Sequence, residues 1–205
     1  MGGDPGLTGP RLGVLSSGKG SNLRNLFSRG YRITAVATNR PGCGAAAFAR
    51  QQGLQLGEFS QRRFPSSLAR DEALSGWLLE VGVDIVVNAG YDRILGEPMT
   101  KAFAGRMLNI HPSLLPSFGG GMDAVERALE HGVKVTGCTV HLVTDAVDAG
   151  PILLQAAVPV LPDDDAQRLH QRIQAEEHRI LPQAIDLLWA RLGGSPRPVK
   201  ETTVV

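Results

Sequence analysis

Cysteine is nearly absent: Cys43 and Cys138 are the two in 205 residues, far apart and without CxxC or Cys/His ligand spacing. That rules out a disulfide framework and gives no pattern for a zinc site, so a reducing, cytoplasmic setting is expected. Charge of one sign is also lacking. With 21 Lys+Arg against 20 Asp+Glu the formal net charge is +1, which gives no electrostatic footprint for DNA, RNA or an anionic membrane. No segment approaches about 18 consecutive apolar residues, the length a membrane span needs. The opening "MGGDPGLTGP" has no basic stretch followed by an apolar one, so it reads as a flexible tail rather than a leader. Internal repeats beyond a strand–helix unit and low-complexity tracts are missing too.

What is present is alternation. "RLGVLSS" is a short apolar run that leads through turn formers into "GKGSNLRNLFSRG", where Leu23, Leu26 and Phe27 fall at helical spacing. The unit recurs as "RITAVATN" then "GCGAAAFARQQG", and as "LQLGEF" then, past a loop with Pro65, "SSLARDEALSGWLLEVG", followed by "VDIVVNAG". Strands apolar throughout and separated by helices predict a largely parallel sheet covered on both faces. "GEPMTKAFAG" (helix), "RMLNI" (strand) and "MDAVERALEHG" (helix) continue the pattern. It then changes: "VKVTGCTVHLVT" and "PILLQAAVPV" are separated only by "DAVDAG", too short for a crossover helix, so this pair should be antiparallel. A long helix, "DDDAQRLHQRIQAEEHRILPQAIDLLWARLG", closes the chain, with Asp at its start where the helix dipole favours it. Pro182 should kink it or break it in two. The expectation is a three-layer α/β fold: a mostly parallel twisted sheet of about seven strands, helices on both faces, and an antiparallel strand pair near the C-terminal part. Residues 1–10 are expected to form a flexible tail, 11–192 a single domain, and 193–205 a tail or edge strand.

Three places in this frame carry polar groups suited to chemistry. "GVLSSGKGSNL" spells neither a good P-loop, since Gly20 stands where Ser or Thr would hold Mg²⁺, nor a good dinucleotide fingerprint, since Leu23 replaces the third glycine. A glycine-rich turn into a helix N-terminus still leaves N–H groups for one phosphate, with Ser21 and Asn22 as further donors. The alternative is a tight turn in which Ser or Asn merely caps the helix. In "NIHP", Asn109 and His111 lie two apart at a strand end and point to one side, with Pro112 keeping His111 out of helical conformation. The carboxyl ends of strands are where open α/β sheets place ligands; the alternative is a satisfied strand-end histidine. Asp145 and Asp148 lie in "TDAVDAGP", where an ordinary Asp/Gly turn is the plainer reading. No Gly-x-Ser-x-Gly elbow is present, and Ser113 lies only two residues from His111, so a Ser-His-Asp hydrolase is disfavoured.

In order and separation, "SGKGSNL", "NAGYDRIL", "NIHPSLLP", "GCTVHLVTDAVDAGPILLQ" and "AEEH" resemble the glycinamide ribonucleotide transformylases, from about Leu12 to Leu188. "NIHPSLLP" with a later DxGP loop is shared by the wider group of formyltetrahydrofolate-using enzymes, and the glycine-rich turn is the discriminating piece. The resemblance implies formyl transfer from 10-formyltetrahydrofolate to the primary amine of glycinamide ribonucleotide in purine synthesis. It also implies that no metal is involved. Asn109, His111 and Asp148 would then be catalytic, with Asn109 and a protonated His111 donating to the oxyanion. Asp148 would hold the imidazole and pass the amine's proton towards the leaving folate nitrogen. Gly20, Ser21 and Asn22 would hold the phosphate. Glu177 would contact the ribose or glycinamide end, and Pro112 would also bind the substrate. Arg93, Ile94, Leu95 and Asn109, with Val143, Asp145 and Ala146 of the later loop, would frame the folate's pteridine. Small molecules are the expected partners of a monomer or homodimer, with no nucleic acid and no membrane. His141, His170 and His178 read as structural.

Three positions depart from the family pattern. Asp92 stands where a hydrophobic residue is usual, Asn88 where an apolar one is common near the folate pocket, and "FGGGMDAVERAL" puts Val125 near a usual histidine. Gly119 to Gly121 read as a mobile flap over the cleft. Two alternatives remain open: the same folate chemistry with another amine or water as acceptor, and a non-catalytic nucleotide- or folate-binding module.

Overall fold

The computed structural model of the chain describes residues 9–195. The tails expected over 1–10 and 193–205 lie almost wholly outside these. Seven strands form one sheet: β1 (Leu12–Leu15), β2 (Ile33–Thr38), β3 (Gln55–Glu58), β4 (Ile85–Asn88), β5 (Met107–His111), β6 (Val135–Leu142) and β7 (Ile152–Pro159). Their order is β3-β2-β1-β4-β5-β6-β7. The first five pair in parallel, as the strand–helix alternation predicts. β6 and β7 are antiparallel to each other as expected, and the reversal begins one pair earlier, because β6 also runs antiparallel to β5.

Among the described residues six α-helices cover the sheet: α1 (Ser21–Ser28), α2 (Gly44–Gln51), α3 (Ser67–Glu80), α4 (Glu97–Ala102), α5 (Ala124–Glu130) and α6 (Ala166–Arg191). Alternate strand residues feed two separate cores. Val14, Val36, Val87, Leu108 and Ile110 pack with Leu23 of α1, Phe48 of α2, Val125 of α5 and the Leu169–Leu188 stripe of α6. Leu15, Ala37, Val86 and Met107 pack on the other face with Leu74 and Leu78 of α3 and Met99 of α4. Strands buried on both faces explain their unbroken apolar sequence.

Helix starts follow local chemistry. Ser66 Oγ accepts from Ala69 N–H at 3.1 Å, and the Asp165 carboxylate accepts from Arg168 N–H at 2.7 Å. Pro182 does not break α6, which runs as one element of 26 residues. A proline lacks the N–H that the carbonyl four residues earlier needs. Here the His178 carbonyl accepts instead from Asn25 Nδ2 at 2.9 Å, so α1 satisfies the orphaned group. Among the described residues no helix is long and apolar enough to cross a membrane.

Candidate active site

The end of β5 shows how a strand aims side chains. Leu108 and Ile110 point into the α6-side core, so Asn109 and His111 must point the other way, towards a cavity of about 860 Å³ beside the carboxyl ends of β1, β4 and β5. Antiparallel pairing sets Asn109 directly opposite His141 on β6. The Asn109 amide uses its N–H groups inside the protein: Nδ2 lies 3.1 Å from His141 Nε2 and 3.4 Å from Asp148 Oδ1. His141 Nδ1 is 2.9 Å from the Leu142 carbonyl, an acceptor only, so in the neutral ring that nitrogen carries the proton and Nε2 accepts from Asn109. An imidazolium at His141 would instead aim an N–H at Asp148 Oδ1, 3.6 Å away.

Asp148 joins these groups from the β6–β7 loop, in the left-handed backbone region at φ 52°. Its Oδ2 lies 3.6 Å from His111 Nδ1 and accepts from Gly120 N–H at 2.8 Å. Its carboxyl is held down at about 2. The N–H that a His141 imidazolium aims at it contributes most, burial opposes it, and the Gly120 N–H and the charges of His111 and His141 add to the lowering. The loop is thus no ordinary Asp/Gly turn, for it delivers a fixed negative charge between two imidazoles.

The glycine segment expected to be a loose flap is closed down on this cluster. His111 Nε2 is 3.1 Å from the Phe118 carbonyl, and Gly119 O accepts from Arg127 Nη1 at 3.2 Å. The Phe118 ring lies edge-on to His131, 5.4 Å between centroids, beneath the Arg127 guanidinium. Both ring nitrogens of His111 therefore face protein groups, and the Nε2–H is the one that an incoming acceptor would take from Phe118.

At the cavity's far end, Gly20 caps α1 at φ 74°, where a Cβ would come within 2.9 Å of Ala45 Cα, so only glycine fits this turn. The alternative of Ser or Asn as the cap is set aside: no side chain caps α1. Ser21 Oγ accepts from Gln174 Nε2 at 2.8 Å, and Asn22 Nδ2 donates to Glu177 at 2.9 Å. Glu177 is buried rather than on an exposed helix face, and burial pushes its carboxyl up to about 7 against the smaller opposing effect of the Asn22 hydrogen bond. Asn22 Oδ1, also buried, has no hydrogen-bond partner.

Arg93, Ile94 and Leu95 after β4, and Val143, Asp145 and Ala146 after β6, are also on the cavity wall with Pro112. Ile94 is 73% exposed and Asp145 accepts from Thr100 Oγ1 at 2.6 Å. All the site residues singled out in the sequence therefore border one cavity. His141, read from the sequence as structural, does as well, and it contacts both Asn109 and Asp148. Its one sequence signal was its place in the strand that precedes Asp148. His170 also lines the wall, on an exposed part of α6, whereas His178 does not. Val125 is buried in the α6-side core, away from the cavity, and Asn88 Oδ1 accepts from Tyr91 N–H at 3.1 Å. Both cysteines are free, and among the described residues no group of three or more His, Cys, Asp or Glu could hold a metal ion.

Comparison with known proteins places this geometry. Residues 11–185 match the formyl transferase family. The chain is 44% identical over 183 residues to a phosphoribosylglycinamide formyltransferase of Mycobacterium tuberculosis, covering 87% of this chain and 84% of that protein. It is 36% identical to the protein of the same name from Haemophilus influenzae, with 85% of each covered. The solved structure of glycinamide ribonucleotide transformylase 1 from Symbiobacterium toebii superposes with a TM-score of 0.84 at 47% identity, covering 89% of both chains. The human trifunctional purine biosynthetic protein adenosine-3 is 42% identical over 184 residues, and the chain spans only 18% of its length. With a family match over most of its length and such relatives covered nearly end to end, the chain belongs to the formyl transferase family.

Proposed function

We propose that this protein is a phosphoribosylglycinamide formyltransferase, moving the formyl group of 10-formyltetrahydrofolate to the primary amine of glycinamide ribonucleotide in the cytoplasm. The observation that carries the reading is the pairing, in one cavity, of the Asn109–His111–Asp148 cluster with a helix N-terminus beside Glu177. The first turn of α1 leaves N–H groups without intrahelical partners, a ready site for the nucleotide's phosphate. Glu177 lies near enough to that turn to accept from the ribose hydroxyls. Arg93 to Leu95 and Val143 to Ala146 wall the space left for the pteridine.

In this reading the amine nitrogen bonds to the formyl carbon, and the carbonyl oxygen becomes an oxyanion. The His111 Nε2–H turns from Phe118 to that oxygen, and the Asn109 amide exchanges its long 3.4 Å bond to Asp148 for the same target. One donor aimed at an oxyanion is worth about 10²–10³ in rate. Asp148, an anion throughout the physiological range, orients His111 and passes the amine's proton, directly or through water, to the folate nitrogen as its bond to carbon breaks. No step calls for a metal.

The test is a steady-state assay with 10-formyltetrahydrofolate, with and without glycinamide ribonucleotide. Formyl transfer strictly dependent on the ribonucleotide is expected, and His111→Ala should lower kcat by at least about 10²-fold with the fold retained. Acceptor-independent loss of formyl would mark a hydrolase, and tight folate binding without formylation of any amine would mark a binding module. Either result overturns the proposal.

A further inference from the structure

The eight residues from Ala89 to Gly96, between β4 and α4, form no regular element, yet they carry Arg93, Ile94 and Leu95. Their shape must come from outside the segment. At its far end, the buried Arg70–Asp71 pair of α3 holds it: Arg70 Nη2 donates to Ile94 O at 3.0 Å and Asp71 Oδ2 accepts from Gly96 N–H at 2.8 Å. At its near end, Asp92 is the anchor. Asp92 N–H donates to Ser17 Oγ at 3.0 Å, and its Oδ1 accepts from Asn39 Nδ2 at 2.7 Å and from Ser17 Oγ at 3.2 Å. Its Oδ2 pairs with Arg40, with Arg93 Nε 3.7 Å from the carboxylate. Ser17 and Asn39 close the ends of β1 and β2, so one carboxylate ties the segment to two neighbouring strands.

Exposure marks the change of direction. The Asp92 side chain is only 14% exposed, while Ile94, two residues on, is 73% exposed. The segment thus turns from the inward carboxylate of Asp92 to the outward side chain of Ile94 along the cavity wall. Burial works against its charge, and the Asn39 hydrogen bond and Arg40 outweigh that effect, so the carboxyl stays below its ordinary range. A hydrophobic side chain could fill this place, but it could not engage three polar anchors at once.

We infer that Asp92 is a positioning residue for the folate side of the cavity, fixing the backbone that presents Arg93 to Leu95 through its bonds to Ser17, Asn39 and Arg40. The inference rests on the proposed formyl transfer. The test measures tetrahydrofolate binding by calorimetry together with KM for both substrates, in wild type and in Asp92→Asn, Asp92→Leu and Asn39→Ala. Asn39 does not line the cavity, so its variant reports through Asp92 and through Ser17, whose hydroxyl also donates to Asn39 Oδ1. Asp92→Leu and Asn39→Ala should raise the tetrahydrofolate Kd and the 10-formyltetrahydrofolate KM about tenfold, the effect of one lost charge-assisted hydrogen bond. Asp92→Asn, which still accepts from Asn39, should raise them only about threefold by the same reasoning. The ribonucleotide KM should stay within about twofold of wild type. Folate values unchanged in Asn39→Ala and Asp92→Asn, or both KM values rising alike, overturn the role of Asp92. Wild-type protein that binds no tetrahydrofolate overturns the functional reading itself.

Discussion

Two carboxylates face the same cavity and are treated in opposite ways. Asp148 is surrounded by groups that favour its charge, two imidazoles and the Gly120 N–H, and its carboxyl is held at about 2. Glu177 is more deeply buried with a single neutral amide for a partner, and its carboxyl is pushed up to about 7. The difference lies in what each place demands. In the proposed mechanism Asp148 steers a proton and an imidazole and must keep its charge. In the same proposal Glu177 waits for hydroxyl donors and can remain half-satisfied until they arrive, at a cost in stability.

The largest expected effect breaks the Asp148 side. Asp148→Asn keeps the shape and an acceptor for Gly120 N–H but removes the charge, and kcat should fall by about 10²–10⁴-fold. Circular dichroism and a thermal melt would check that the fold persists, and near-normal turnover would remove Asp148 from the mechanism. On the Glu177 side the change should be smaller and appear in binding. Glu177→Gln should raise the ribonucleotide KM about tenfold. In wild type that KM should climb as pH falls from 8 to 6, because the acceptor is protonated through its value of about 7. In the variant the Glu177 part of this dependence should vanish, leaving only the substrate's own titration. Parallel pH profiles for the two proteins would show that Glu177 does not hold the ribonucleotide.

The smallest effect concerns stability and has opposite signs at the two sites. A depressed folded-state pKa means that ionised Asp148 stabilises the fold above about 3.8, a contribution lost as pH falls through about 2. A raised one means that Glu177 costs stability as pH rises through its ordinary value of 4.5, levelling off above about 7. Glu177→Gln should therefore raise the Tm of the ligand-free protein at pH 8, by a free energy on the order of 3 kcal/mol, and leave it nearly unchanged at pH 4. The new amide can also donate to the unpartnered Asn22 Oδ1. A lower Tm at pH 8 would show that Glu177 is not buried at a cost.

Much of the fold was legible because it is written in short-range periodicity. Apolar runs such as "LGVL" and "IVVN" can only be buried on both faces, and the six-residue link "DAVDAG" can only return the chain antiparallel. Asn109 and His111 could be placed on one side by strand geometry alone. His141 could not, because its role depends on the register between β5 and β6, which lie 32 residues apart at the Asn109–His141 pair. Asn22 and Glu177 are 155 residues apart, and nothing local to either tells of the other. Pro182 was read by its local effect on a helix, while a side chain from α1 decided the outcome.

By itself the sequence determined the order of strands and helices, the outward aim of the β5 end and the glycine turn before α1, since backbone sterics and the two periodicities act over a few residues. Only the tertiary structure decided which distant groups share a proton, which carboxylate stays charged, and that the glycine loop closes on His111. Those outcomes depend on burial and on distances of a few ångströms between segments the chain keeps far apart.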